Sequence, residues 1–271
     1  MNRRMLFSFT AAGAAVLIAL GVSTMPVAGQ AGTGGTIVGH VRYKGPTPVN
    51  PVMRMGADPR CNKLYVGKRP TAQTFVVAAD GGMANVFVNV DGSFPNAPPS
   101  TTPVVIDQKD CIYVPRVVGA RTGQMLQVKN GDITGHNVHS LSMARNDFNT
   151  SQPTPGMVFE YKLKGVEMLH IKCDFHAWMN SYVGIVDNPY FAVTGTDGSF
   201  TIANVPAGKQ TIRVWHEAMG LQTQTVDVQA GKMTTVDFTY MPGQKPAARA
   251  VRELIVPADV ELVKIITWRA Q

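Results

Sequence analysis

Four side chains stand at a spacing that can hold a redox metal. Cys173, His176 and Met179 fall in the run CDFHAWM, and His136 lies upstream in GHNVHS. A thiolate and two imidazoles suit both Cu(I) and Cu(II) in a trigonal plane, with a thioether as a weak, long axial ligand. A geometry acceptable to both oxidation states costs little rearrangement when one electron arrives or leaves. These residues therefore imply one type 1 (blue) copper, and single-electron transfer as its chemistry.

The elements that must position these groups read as strands. Residues 169–172 run into the motif and 182–186 leave it, so three ligands come from one tight loop. Residues 125–132 read as a strand ending in an Asn-Gly-Asp turn, and His136 follows that turn. This places His136 at the same end of a β-sandwich as the loop.

The pairing of GHNVHS with CDFHAWM resembles the cupredoxins, in particular the amicyanin type with its short Cys-x2-His-x2-Met loop. The resemblance covers about residues 102–189. It implies His136, Cys173 and His176 as equatorial ligands, Met179 as axial ligand, and Asn137 hydrogen-bonded across to the ligand loop. It also implies that electrons pass through the ring edge of His176 at an apolar surface patch, to which Phe175, Ala177 and Trp178 contribute. Trp178 reads equally as core. The chain departs from the pattern where prolines flank the second His, since Phe175 and Ala177 stand there. Asp174 replaces a small hydroxyl residue beside Cys173, and a carboxylate near the thiolate is expected to lower the reduction potential.

Other readings of the same residues are weaker. A zinc Cys/His3 set would have to recruit His139 or His170. Strand alternation turns His139 away from His136, and His170 away from Cys173. A dinuclear copper site needs a second loop Cys, and multicopper oxidases need His-x-His pairs; six His and no such pair are present.

At 271 residues and 45% hydrophobic, the chain can build one or two β domains. Met1-Asn2-Arg3-Arg4 precedes an apolar run over 5–22 and a small-residue stretch ending near Ala31. This reads as a secretory signal peptide over 1–31, with an uncleaved anchor as the alternative. The expected location is periplasmic or secreted. Of three Cys, Cys173 is assigned to metal, which leaves Cys61 and Cys111 as a disulfide pair in an oxidising compartment. The formal charge of +7 falls to +5 without Arg3 and Arg4. No basic block with interleaved aromatics is present, so nucleic-acid binding is not expected. A mildly basic surface suits steering of an acidic redox partner.

Short alternating segments punctuated by 26 Gly and 18 Pro read as all-β. A short helix is expected within 150–157. After Pro189 the run TGTDGSFTIANVPAGK carries hairpin and turn signals. It resembles the carboxypeptidase regulatory-like, transthyretin-type sandwich, a fold that says little about function. Trp215 and His216 read there as a core Trp with a hydrogen-bonded neighbour. The expected architecture is a cupredoxin Greek-key sandwich over 32–189, a smaller transthyretin-like sandwich over 190–242, and a linker with strand extension over 243–271. Residues 36–95 read either as extra strands of the first sandwich or as the opening strands of a split second one. Chain contiguity favours the former.

The expected function is that of an electron carrier, not an enzyme, because the loop ligands fill the coordination sphere. Partners would be redox proteins such as a c-type cytochrome, a dehydrogenase or an oxidase, and association with a membrane complex is left open. The alternative is a non-redox copper-binding or adhesive module, or a structural subunit of a larger redox complex. The Cys61–Cys111 bond closes about 50 residues; Cys61→Ser with Cys111→Ser should cost up to ~4 kcal/mol in denaturant melts.

Overall fold

The computed structural model describes residues 34–94 and 100–244. The chain opens with β1 (Gly34–Tyr43), a 3-10 turn (Met55–Ala57), α1 (Pro59–Leu64) and β2 (Phe87–Asp91). Nine strands follow: β3 (Val104–Lys109), β4 (Ile112–Val114), β5 (Val117–Arg121), β6 (Met125–Asn130), β7 (His136–Leu141), β8 (Asn149–Gln152), β9 (Val158–Lys162), β10 (Glu167–Lys172) and β11 (Asn180–Val186). The rest is β12 (Phe191–Val193), β13 (Ser199–Pro206), β14 (Gly208–His216), β15 (Gly220–Val228), β16 (Met233–Thr235) and β17 (Phe238–Tyr240). The fold is all-β, as the alternation implied.

Strands β3 to β11 form one sandwich from two sheets, ordered β5-β11-β10-β7-β8 and β4-β3-β6-β9. Period-2 burial drives it: β10 turns Leu169 and Ile171 inward against Leu126, Val128 and Val138. The segment expected to hold a helix near 150–157 is instead β8 followed by a turn. Its pairing with β7 satisfies the backbone groups that a helix would have bonded internally.

The second sandwich is split. β1 pairs antiparallel with β13 and parallel with β16 and β17, while β2 lies between β12 and β14. The expectation that residues 36–95 extend the first sandwich is therefore corrected: β3 to β11 are inserted into the other one. The alternation of β1 decides this, because Ile37, Val41 and Tyr43 complete a core with Phe200, Ile202, Phe238 and Tyr240. Asn188 pins the point of re-entry, donating to the carbonyls of Val90 and Gly92. The segments expected over 1–31 and in the C-terminal extension lie outside the described residues, apart from Gly243 and Gln244 in a turn.

The two sandwiches share a buried layer of Phe87, Val117 and Val186, with Tyr182, Phe191 and Trp215 packed against it. Arg116 crosses to Glu217 at 2.7 Å, both nearly buried. Two glycines admit the aromatic rings. A Cβ at Gly184 would stand 2.6 Å from the Phe87 ring, and one at Gly119 would stand 2.3 Å from that of Phe191. Gly184→Val should therefore overpack this layer and destabilise the protein by ~1–3 kcal/mol in chemical denaturation, with Val183→Ile as a same-strand comparison.

Candidate metal centre

Residues 173–179 bridge the antiparallel strands β10 and β11. Cys173 continues the inward face of β10 after Leu169 and Ile171, so alternation alone carries it into the core. The loop closes on itself: the Cys173 amide donates to the Met179 carbonyl at 3.2 Å, and the Met179 amide to the His176 carbonyl at 2.9 Å. His136 begins β7, the strand beside β10, and enters from the other side.

Three donor atoms converge. The donors of His136, Cys173 and His176 lie within 4.8 Å of one another. The two Nδ1 atoms are 3.0 Å apart, and the Cys173 Sγ is 3.6 Å from the His176 Nδ1. His136 and Met179 are 0% exposed, Cys173 2% and His176 3%. Met179 sits in the same core cluster as Cys173.

Carboxylates hold both imidazoles from behind. The Nε2 of His136 meets Asp132 at 2.8 Å, and the Nε2 of His176 meets Asp58 at 3.1 Å. A ring that donates its Nε2 proton to a carboxylate presents its Nδ1 lone pair to the centre. The donor set thus fits a borderline-soft ion that takes thiolate and imidazole together, as copper does. Burial alone would push the Cys173 thiol up. His136, His176 and the amides of Asn137 and Phe175 outweigh burial and hold it at about 6. His136 goes the other way: burial disfavours its cation, yet Asp132 and Cys173 raise it to about 8. The pocket is preset for a thiolate.

Asn137 bridges to the loop, its Oδ1 accepting the Asp174 amide at 3.1 Å while its own amide donates to the Cys173 Sγ at 3.3 Å. The Tyr113 hydroxyl ties the carbonyls of Asn137 and Lys172 together. Asp174 lies outside the cluster and is held low, at about 2, by Lys172 and then His139. Lys172 stands 2.7 Å from it, so much of the carboxylate's field at the thiolate is offset locally. His139 is occupied by Asp174, and His170 by Asn180 and the face of Tyr182, so neither joins the centre.

One expectation is overturned. The ring edge of His176 does not reach the surface, because a strap made of residues 55–64 covers it. Asp58 caps α1 with one carboxylate oxygen, accepting from the Arg60 and Cys61 amides, and gives the other to His176 and Thr134. The strap is stapled by the expected disulfide, which forms between Cys61 and Cys111. The Cys61 Sγ stands 3.9 Å from the His176 Nε2. Phe175 is 55% exposed and Ala177 is exposed, whereas Trp178 is half-buried and donates its indole N–H to the Cys111 carbonyl.

Asp132, Asp58, Thr134 and Tyr113 were not singled out from the sequence. Asp132 carried a signal, four residues ahead of His136; Asp58 lies 118 residues from His176 and carried none.

The carboxypeptidase regulatory-like domain family matches residues 183–241. A comparison with curated proteins finds no match. Solved structures similar to parts of the chain include a purple cupredoxin from Nitrosopumilus maritimus, at 20% identity, 30% of this chain, 98% of that one and TM-score 0.27. A Cu(I) mutant of amicyanin shows 14% identity over 36% of this chain and 98% of that one, with TM-score 0.29. The copper-containing nitrite reductase from Thermus scotoductus shows 13% identity over 35% of this chain and 25% of that one, with TM-score 0.31. At these scores, the geometry above carries the functional argument.

Burial raises the Asp58 carboxyl, but Thr134, the Cys61 amide, His176 and the Arg60 amide outweigh it and lower the group from 3.8 to about 2. Its folded value lies below the unfolded one, so the stability it contributes is complete above about pH 4. That contribution is lost as the pH falls to 2. With the side chain 17% exposed, it should amount to roughly 1–2 kcal/mol. Denaturant titrations of metal-free protein between pH 2 and 6 should show this acid loss, and Asp58→Asn should remove it.

Proposed function

We propose that this protein is an exported type 1 copper protein that passes single electrons between redox partners. The observation that carries the reading is the buried meeting of the Cys173 sulfur with the Nδ1 atoms of two imidazoles, each ring held from behind by a carboxylate. Bound copper would supply a one-electron couple. His136, Cys173 and His176 would hold it, with the buried Met179 as the further ligand the sequence motif offers.

The chain's own contribution is rigidity and dryness. Cys173 and Met179 are tied to each other through the backbone of the loop, and His136 is fixed to the neighbouring strand. Asp132 and Asp58 restrain rotation of both rings. A donor set that does not move between oxidation states has little to reorganise when an electron arrives. Water is kept out by the packing of Leu169, Ile171, Val138 and Met179.

The apolar N-terminal run and the Cys61–Cys111 bond support a periplasmic or secreted location. Redox partners such as a c-type cytochrome, a dehydrogenase or an oxidase suit a centre of this kind. The regulatory-like sandwich acts as the scaffold that carries the copper sandwich.

The test is a visible absorption and EPR spectrum of the full chain loaded with Cu(II), beside Cys173→Ala. An intense sulfur-to-copper band with narrow copper hyperfine splitting, lost in the variant, is the expected result. A colourless, tetragonal spectrum that does not change in the variant would overturn the reading.

A further inference from the structure

Electrons need a route out of a centre whose outer imidazole edge is covered. His176 is 3% exposed, with Asp58 and Cys61 set against its distal nitrogen. Besides the His136 ring, the ring in contact with it is that of Trp178, with centroids 5.0 Å apart. Trp178 packs on the disulfide and is half-buried. Its outer face lines an open groove of about 520 Å³ with Pro51, Val52, Met53, Arg54 and Ala177. The path from His176 through the Trp178 ring therefore ends in this groove.

The strap and its flanks, over residues 54–69, are strongly basic. Arg54, Arg60, Lys63, Lys68 and Arg69 are all exposed. The carboxylates nearby are spoken for: Asp58 is spent on His176 and Thr134, and Glu217, which lines the groove, is paired with Arg116. A cationic rim around an apolar contact steers anionic partners and speeds their encounter.

We propose that this groove is the docking surface for a redox protein with an acidic face, and that electrons cross at Trp178 rather than at the His176 edge. This rests on the copper reading above. The disulfide-stapled strap does two jobs: Asp58 closes the direct route, and the exposed cations of the strap and its flanks select the partner.

The full-length Cu(I) protein can be oxidised by hexacyanoferrate(III), an anion, and by tris(phenanthroline)cobalt(III), a cation. Each takes one electron and leaves Cu(II) with the reduced complex. Stopped-flow rates across ionic strength should be higher for the anion and fall with salt. The triple change Lys63→Glu, Lys68→Glu and Arg69→Glu should lower the hexacyanoferrate rate on the order of tenfold and flatten its salt slope, without slowing the cobalt complex. Lys209→Glu with Lys232→Glu, on the far sandwich, should change neither rate. Trp178→Leu should slow both reagents while the visible band and potential stay in place, and Trp178→Phe should restore most of the rate. Rates indifferent to the charge triple and to Trp178→Leu, with the band intact, overturn the docking surface and leave the copper reading standing. Absence of the band in the unsubstituted protein overturns both.

Discussion

A buried thiolate beside two imidazoles is costly unless every charge and every ring nitrogen has a partner. Cys173 meets that demand with the Nδ1 atoms of His136 and His176 and the amides of Asn137 and Phe175. The imidazoles in turn need their outer nitrogens held, or the rings would turn and compete for water. Asp132 and Asp58 do this from two different parts of the chain. Each carboxylate is itself anchored, Asp132 by the amides of Asp110 and Cys111, and Asp58 by the first turn of α1. The centre is thus the end point of hydrogen bonds that draw on both the inserted sandwich and the strap.

The scaffold follows from this requirement. A loop between two paired strands holds Cys173 and Met179 with little freedom, but His176 projects away from the sheet and needs an outer wall. That wall is not part of the inserted sandwich. It is the excursion between β1 and β2, strands that belong to the other fold. Insertion of one sandwich into another thereby puts the strap over the 173–179 loop. The shared aromatic layer at Gly119 and Gly184, together with the Arg116–Glu217 pair, joins the two sandwiches that flank it.

Covering His176 changes how such a centre meets its partners. A ring edge open to solvent couples directly to whatever docks on it, and it also admits water and foreign ligands. A covered ring gives up that contact for a closed coordination sphere. Under the proposal above, contact is made through a neighbouring aromatic group, and the bond of Trp178 to the Cys111 carbonyl fixes that ring beside His176. The same disulfide therefore stands behind both the wall and the port.

What could be read from the residues alone was local. Cys173, His176 and Met179 share one loop, and the period-2 pattern of β10 already turns Cys173 inward. The strands of the second sandwich carry their turn signals within a few residues, and parity among three cysteines pointed to Cys61 and Cys111. The nesting of the two sandwiches was not legible, because the pattern of β1 suits any half-buried sheet and only its partners decide which. Nor was Asp58, one exposed-looking carboxylate among many in the sequence. Its role arises from a contact across 118 residues that no spacing encodes. The Cys, His and Met types came from the sequence, whereas the wall behind His176, which contacts between residues far apart in the chain create, was decided by tertiary packing.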